Sequence, residues 1–204
     1  MKIGILISGR GSNMLAIIEA VQSGQIPDSE VAVVISDKMG AEGLEKAKKR
    51  HIETLAITRK GRTREEHDAE IIAELKVRDV ELVCLAGYMR LLSKDFVRAF
   101  PDRIMNIHPS LLPSFKGLEA QRQAIEYGVK VSGCTVHFVD KSLDNGAIIV
   151  QKVVEVKDDD TPETLSARIL EHEHALYVEA VKRIVEGNYK IEGRRVTVKN
   201  QQDV

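Results

Sequence analysis

Short, nearly continuous apolar runs alternate along the chain with longer stretches whose apolar residues recur every three or four positions. Residues 2–7 (KIGILI) are such a run, closed by Ser8-Gly9, and predict a buried strand. Residues 13–22 follow, with Met14, Ile17, Ile18 and Val21 at helical spacing and Gly24 as a stop. The alternation then repeats. Strands are expected at 31–36, 54–57, 81–86 and 103–107, and helices at 43–50, 65–77 and 93–100, the last with Ser93 as N-cap. Strands this apolar are covered on both faces, so the pattern predicts an α/β fold with a mostly parallel, doubly wound sheet. Ligands of such folds bind beyond the carboxyl ends of the strands.

After Pro113 the pattern changes. A helix is expected at 119–127, closed by Gly128. Two strands, 132–139 and 147–156, flank the polar loop 140–146 and are expected to pair as an antiparallel C-terminal edge. A long helix at 161–185 has Thr161 as N-cap, Pro162 at its first helical position and Glu163 in its first turn. The tail 189–199 reads as a small hairpin turning at Glu192-Gly193. With no internal repeat and no low-complexity linker, residues 1–204 are expected to form a single domain.

Composition narrows the function classes. The chain is 43% hydrophobic and 30% charged with a formal net charge of -1, so it lacks the basic excess of a nucleic-acid reader. The densest basic run, residues 46–50 (KAKKR), reads as the solvated end of a helix. Cys84 and Cys134 lie inside apolar strands with no metal-ligand spacing, as buried thiols in a reducing compartment would. No apolar stretch reaches the ~18 residues of a membrane span, and no signal-peptide pattern precedes the first strand. A cytoplasmic protein without membrane or nucleic-acid partners is expected, as a monomer or homodimer.

Three segments have the residues for chemistry. The first is Ser8-Gly9-Arg10-Gly11-Ser12-Asn13, between the first strand and first helix. Its glycines allow close backbone approach, and the helix N-terminus offers N–H groups and a favourable dipole to a phosphate. It matches neither GxGxxG nor a Walker A loop; the alternative is a tight turn with Ser12 or Asn13 as cap. The second is Asn106-Ile107-His108-Pro109. Positions i and i+2 of a strand face the same way, so Asn106 and His108 point together at a carboxyl strand end. An amide donor beside an imidazole suits a tetrahedral oxyanion, although a histidine at a strand end is often structural. The third is Leu143-Asp144-Asn145-Gly146, where a carboxylate can orient an imidazole; the alternative is a plain turn. His137 reads as a satisfied core residue. His172 and His174 flank Glu173 without HExxH spacing, so no metal site is expected.

The strings ISGRGSN (7–13), LAGYMRLL (85–92), NIHPSLLP (106–113) and LDNGAIIVQ (143–151), in this order and spacing, resemble the glycinamide ribonucleotide formyltransferase family. The likeness covers the chain from about Lys2 to Gly187. HPSLLP is shared with other 10-formyltetrahydrofolate enzymes; the phosphate loop makes the match specific. The resemblance implies the family's formyltransferase-like Rossmann variant, with 10-formyltetrahydrofolate as co-substrate and glycinamide ribonucleotide as acceptor. It implies that Asn106, His108 and Asp144 are catalytic, that Gly11, Ser12 and Asn13 hold the substrate phosphate, and that Glu173 meets the ribose. It places Met89, Arg90, Leu92, Val139, Asp140, Lys141, Ser142 and Leu143 in the folate pocket, with Arg64 at the glutamate tail. Leu170 stands where some members carry Lys or Gln near the phosphate, Val178 where Pro is common, Tyr88 where Phe is common, and Lys116 and Glu119 where some carry Pro and His.

The expected reaction is direct attack of the substrate amine on the formyl carbon, through a tetrahedral oxyanion held by Asn106 and protonated His108. The alternative is a formyltetrahydrofolate deformylase, with the same trio acting on water. Such proteins carry an additional N-terminal domain and usually His-Ser-Phe at the position of His108-Pro109-Ser110. A methionyl-tRNA formyltransferase would need a further C-terminal domain and a basic surface. A non-enzymatic nucleotide-binding module would need only the glycine loop, not the trio.

Overall fold

The computed structural model describes residues 1–198; Lys199, the last residue of the expected hairpin, lies outside them. Two compact units meet in sequence between Asn106 and Ile107.

The first unit contains β1 (Lys2–Ile7), α1 (Ser12–Gln22), β2 (Glu30–Ser36), α2 (Glu42–Lys48), β3 (Thr54–Ala56), α3 (Arg64–Val77), β4 (Leu82–Leu85), α4 (Lys94–Ala99) and the start of β5 (Ile104–His108). Its strands lie in the order β3-β2-β1-β4-β5 and every pair is parallel, as the apolar runs predict. β1 and β4, in the middle, are apolar and buried almost throughout. The order reverses around β1: from β1 the chain moves to one side for β2 and β3, then to the other for β4 and β5. That reversal puts the loops after β1 and β4 side by side, where an α/β sheet opens a ligand crevice.

Local chemistry sets the helix ends. Ser93 caps α4 by accepting the Phe96 N–H at 3.2 Å. α3 has a capping box: Thr63 Oγ1 accepts the Glu66 N–H, and Glu66 Oε2 accepts the Thr63 N–H at 2.8 Å. The same helix buries His67 and Asp68. The His67 Nε2–H donates to the Ile57 carbonyl at 2.8 Å, and Asp68 Oδ2 accepts the Ser93 N–H at 2.5 Å.

The second unit holds the end of β5, α5 (Ala120–Tyr127), β6 (Val131–Phe138), β7 (Ile148–Glu155), α6 (Pro162–Val185), β8 (Tyr189–Glu192) and β9 (Arg195–Val198). β6 and β7 are antiparallel, as expected for strands flanking one polar loop. β8 and β9 form the predicted hairpin, and β9 adds parallel to β7 through Ile148 and Arg195. Glu119, expected as the first residue of α5, is instead its left-handed N-cap at φ 55°, and Gly128 closes the helix. Both cysteines are buried and unbridged. No helix among the described residues is long and apolar enough to cross a membrane.

Thr161 caps α6 and Pro162 opens it, as predicted. Just before the cap, Asp160 receives two parallel bonds from Arg168, Nη1 to Oδ2 and Nη2 to Oδ1, each 2.6 Å. The Lys157 N–H and the Thr164 hydroxyl also donate to it, each at 2.8 Å. These donors favour the carboxylate, Arg168 most, and hold Asp160 well below the usual carboxylate range. The folded value lies below the unfolded one, so the contribution is complete above pH ~4 and is lost as pH falls from there toward the folded value. Asp160→Asn should therefore lower the urea midpoint at pH 7 and flatten the loss of stability in the acid range. A variant whose midpoint falls with acid as steeply as the parent's would show that the pair does not contribute.

Candidate active site

The β1–α1 turn is closed by a glycine rather than by the Ser12 or Asn13 cap that a plain turn would use. Gly11 is the N-cap of α1 at φ 70°, ψ 34°, a left-handed conformation natural to glycine. Neither Ser12 nor Asn13 caps the helix: there is no side-chain cap bond and no acidic residue in the first turn. A glycine at the N-cap brings no side-chain oxygen of its own to the leading N–H groups of the helix. α2 braces the loop from behind. The Gly43 N–H donates to the Gly9 carbonyl at 3.0 Å and Lys46 Nζ to the Arg10 carbonyl at 2.9 Å. A Cβ on Gly11 would stand 3.0 Å from the Gly43 Cα, so the close approach also requires glycine. Lys46, read from sequence as part of a solvated basic run, thus contacts the loop.

The loop after β4 contains Tyr88, Met89, Arg90 and Leu92. Met89 is exposed and Leu92 half-buried, while Tyr88 is buried. Burial, and then the nearby anions Asp68 and Asp37, push the Tyr88 phenol above its ordinary value, so it remains an O–H donor. Arg90 Nε donates to Asp37 Oδ2 at 2.8 Å, with the Asp37 carboxylate buried. Arg64, at the first position of α3, is half-buried and makes no hydrogen bond or ion pair among the described residues. Arg64, expected at the glutamate tail, and Arg90, expected in the folate pocket, are therefore in different states.

In the second unit the structure brings His108 and Asp144 together. His108 Nδ1 lies 3.5 Å from Asp144 Oδ2, both side chains buried. The other ring nitrogen, Nε2, donates to the Phe115 carbonyl at 2.8 Å. An imidazolium has a donor for each of these acceptors; a neutral ring has only one. Asp144 Oδ2 also accepts the Gly117 N–H at 2.8 Å, and Oδ1 lies 3.7 Å from His137 Nε2. The carboxylate thus sits between two imidazoles. His137 donates from Nδ1 to its neighbour's carbonyl, Phe138 O, at 2.8 Å. Burial holds its pKa below the ordinary imidazole value, opposed by the Phe138 carbonyl and Asp144. Its proximity to Asp144 was missed in sequence, where alternation along a strand marked it only as core.

Two local features set this geometry. Asp144 adopts φ 44° in the turn, and a Cβ on Gly146 would fall 1.8 Å from the Phe138 carbonyl oxygen. Gly146 therefore lets the turn fold tightly back on β6. Behind His108, Thr135 Oγ1 donates to the Ser110 carbonyl at 2.7 Å and accepts the Leu112 N–H at 3.1 Å. Gln151 bonds both Thr135 Oγ1 and the Leu112 carbonyl, each at 2.9 Å, and the Leu112–Pro113 peptide is cis. Asn106 lies two residues before His108 on β5, half-buried, as the last residue of the first unit.

The remaining predicted residues are more dispersed. Val139 and Asp140 are half-buried and Lys141, Ser142 and Leu143 exposed; Asp140 Oδ1 accepts the Ser142 N–H at 2.8 Å. Glu173 is buried on α6. Its charge adds to burial in pushing the Cys134 thiol up to about 12, so that thiol is not a nucleophile at neutral pH.

Comparison with known proteins identifies the family. The formyl transferase family model matches residues 1–181. The chain is 47% identical over 188 residues to the trifunctional purine biosynthetic protein adenosine-3 of Drosophila melanogaster, matching with 91% of its own length but spanning only 14% of that protein. It is 40% identical over 185 residues to the phosphoribosylglycinamide formyltransferase of Bacillus subtilis, covering 90% of this chain and 94% of that one. The crystal structure of glycinamide ribonucleotide transformylase 1 from Symbiobacterium toebii superposes with a TM-score of 0.95 at 51% identity, over 98% of this chain and 94% of that chain. A formyltetrahydrofolate deformylase from Burkholderia mallei superposes with a TM-score of 0.86 at 29% identity, over 97% of this chain and 69% of that chain. The mostly parallel sheet, the His108–Asp144 pair behind the NIHP turn and the match over residues 1–181 together identify the chain as a member of the formyl transferase family.

Proposed function

We propose that the chain transfers the formyl group of 10-formyltetrahydrofolate to the amine of glycinamide ribonucleotide, a step of purine biosynthesis in the cytoplasm, with residues 1–204 working as one formyltransferase domain. The observation that carries this reading is the buried His108–Asp144 pair, with Asn106 two positions away on the same strand. The neutral amine attacks the formyl carbon and the carbonyl becomes an oxyanion. The Asn106 amide and the protonated ring of His108 donate to that oxyanion, the His108 Nε2–H exchanging the Phe115 carbonyl for it. Asp144 holds the ring by Nδ1 and supports its charge. The intermediate collapses by breaking the bond from the formyl carbon to N10. The amine loses one proton and N10 gains one, relayed by His108 or an ordered water.

The remaining residues bind. Gly11, Ser12 and Asn13 take the ribonucleotide phosphate on the open end of α1, and Glu173 takes a ribose hydroxyl. The backbone around Met89, Arg90 and Leu92 and the segment Val139, Asp140, Lys141, Ser142 and Leu143 hold the pterin, and Arg64 meets the glutamate tail. Holding the amine against the formyl carbon supplies the orientation a bimolecular step otherwise lacks.

The deformylase reading uses the same trio with water in place of the amine, so one assay separates the two. Formyl transfer should require the ribonucleotide amine, and omitting it should stop consumption of the donor. Formate released at the same rate without the amine would make the protein a hydrolase.

Ser12→Pro keeps a residue suited to the first helical position but removes one N–H. It should raise the KM for the ribonucleotide and leave the donor's nearly unchanged; equal effects on both would place the phosphate elsewhere. Asn106→Ala and His108→Ala should each lower kcat by roughly 10²–10³-fold, the usual cost of one oxyanion donor, while donor binding persists. The double variant should lose less than the product of the two, because both serve one transition state. Loss of donor binding in both single variants would instead make them structural. Asp144→Asn should fold, bind both substrates and lose most of its turnover, since the amide keeps the shape but not the charge. Undiminished kcat would remove Asp144 from the mechanism.

A further inference from the structure

The segment after β4 is held at three points, all within the first unit. The Ser8 N–H donates to the Gly87 carbonyl at 3.1 Å, and the Ser8 hydroxyl accepts the Met89 N–H at 2.9 Å. These two bonds continue the β1–β4 ladder, in which Leu6 faces Leu85, beyond the ends of both strands. The third point is the Asp37–Arg90 pair at 2.8 Å. Asp37 follows the last residue of β2; its carboxylate is buried, and its second oxygen has no hydrogen-bond partner among the described residues. Arg90 Nε is thus the hydrogen-bond donor to a charge that burial makes costly to leave alone. Withdrawing Arg90 toward another anion would strand that carboxylate.

We propose that Ser8 and Asp37 are positioning residues of the donor pocket, and that Arg90 is a strut locked by Asp37 rather than a counter-ion for the donor's carboxylates. This rests on the formyl-transfer reading, in which the backbone at 89–92 holds the pterin. Ser8 fixes that backbone from β1, and Asp37 fixes it from β2 through the guanidinium. Arg64, unpaired, is then the arginine available to the anionic tail. Ser8 immediately precedes the Gly9–Asn13 loop, so one residue sets the spacing of the two segments proposed to hold the two substrates.

The test measures dissociation constants by equilibrium dialysis, independent of turnover, for three donors: 10-formyltetrahydrofolate with one glutamate, the same with five, and 10-formyltetrahydropteroate, which has none. Ser8→Ala, Asp37→Asn and Arg90→Met should each weaken all three donors by a common factor of roughly tenfold, as for one lost bond to a buried group. Affinity for the ribonucleotide should change less than twofold by comparison. Ser8→Thr, which keeps the hydroxyl, should restore donor binding. Hydrogen exchange at the Met89 amide, read on the full chain without substrates, should accelerate in Ser8→Ala and not in Ser8→Thr. Arg64→Met should weaken only the donors that carry glutamate. If Arg90→Met spares the pteroate donor and weakens the others, Arg90 is a counter-ion and the proposal falls. It falls equally if Met89 exchange is the same in Ser8→Ala as in the parent, or if the parent binds none of the donors. A parent that binds donor but transfers no formyl group to the ribonucleotide would overturn the functional reading alone.

Discussion

A carboxylate removed from water must be met by donors, and this chain uses that requirement repeatedly to fix its loops. Asp37 is met by Arg90, Asp68 by the Ser93 N–H, Asp160 by Arg168, and Asp144 by the Gly117 N–H with an imidazole on either side. Asp37 directly follows β2 and Asp160 directly precedes the cap of α6, whereas Asp68 lies inside α3 and Asp144 in the β6–β7 turn. The apolar strands build the scaffold; the buried acids decide where the connections between them rest.

Asp144 shows what separates the proposed catalytic use of a carboxylate from a structural one. His137 and His108 both face its carboxylate, but their second nitrogens have different partners. His137 is tied to the carbonyl of its own neighbour on β6 and kept uncharged by burial. His108 is tied to Phe115, in the irregular segment before α5. A bond to regular strand backbone is not readily given up, whereas one to a loop carbonyl can be exchanged for an incoming oxygen. The same carboxylate thus has one fixed imidazole neighbour and one adaptable one, and the proposed mechanism uses the adaptable one.

Much of this was legible in the sequence because it is local. Buried strands show as apolar runs, Ser93 and Thr161 announce helix starts, and Gly128 a helix stop. Asn106 and His108 are two apart on one strand, so their common direction follows from the period of a strand. Asp144 could be named from its residues only as one of two readings of its turn, because its approach to His108 spans a hairpin whose turn geometry depends on Gly146 fitting under the Phe138 carbonyl. The pairing of Asp37 with Arg90, 53 positions apart, has no local signature. From sequence alone Arg90 looks like any free cation, and so does Lys46, whose ammonium contacts the Arg10 carbonyl 36 positions away.

The treatment of helix ends carries the same logic to the phosphate loop. α3, α4 and α6 begin with a hydroxyl cap, α2 has Glu42 and Glu45 in its first turn, and α5 has Glu119 at its N-cap position. Among the described helices only α1 has neither a side-chain cap nor an acidic residue at the cap or in the first turn. Neither its N-cap residue nor its first turn brings a negative charge to that end of the dipole. Gly11 and Gly43 bring the backbone of α2 against the loop, and Lys46, which also pairs with Glu42 at 3.5 Å, donates to the Arg10 carbonyl there. α2 and α5 have no side-chain cap bond either, but each has an acid at its start; α1 has none, and the proposed phosphate site uses that difference. Under the proposed function a ribonucleotide phosphate, two negative charges on a small tetrahedral group, would supply several oxygens to the leading N–H donors of α1 at once.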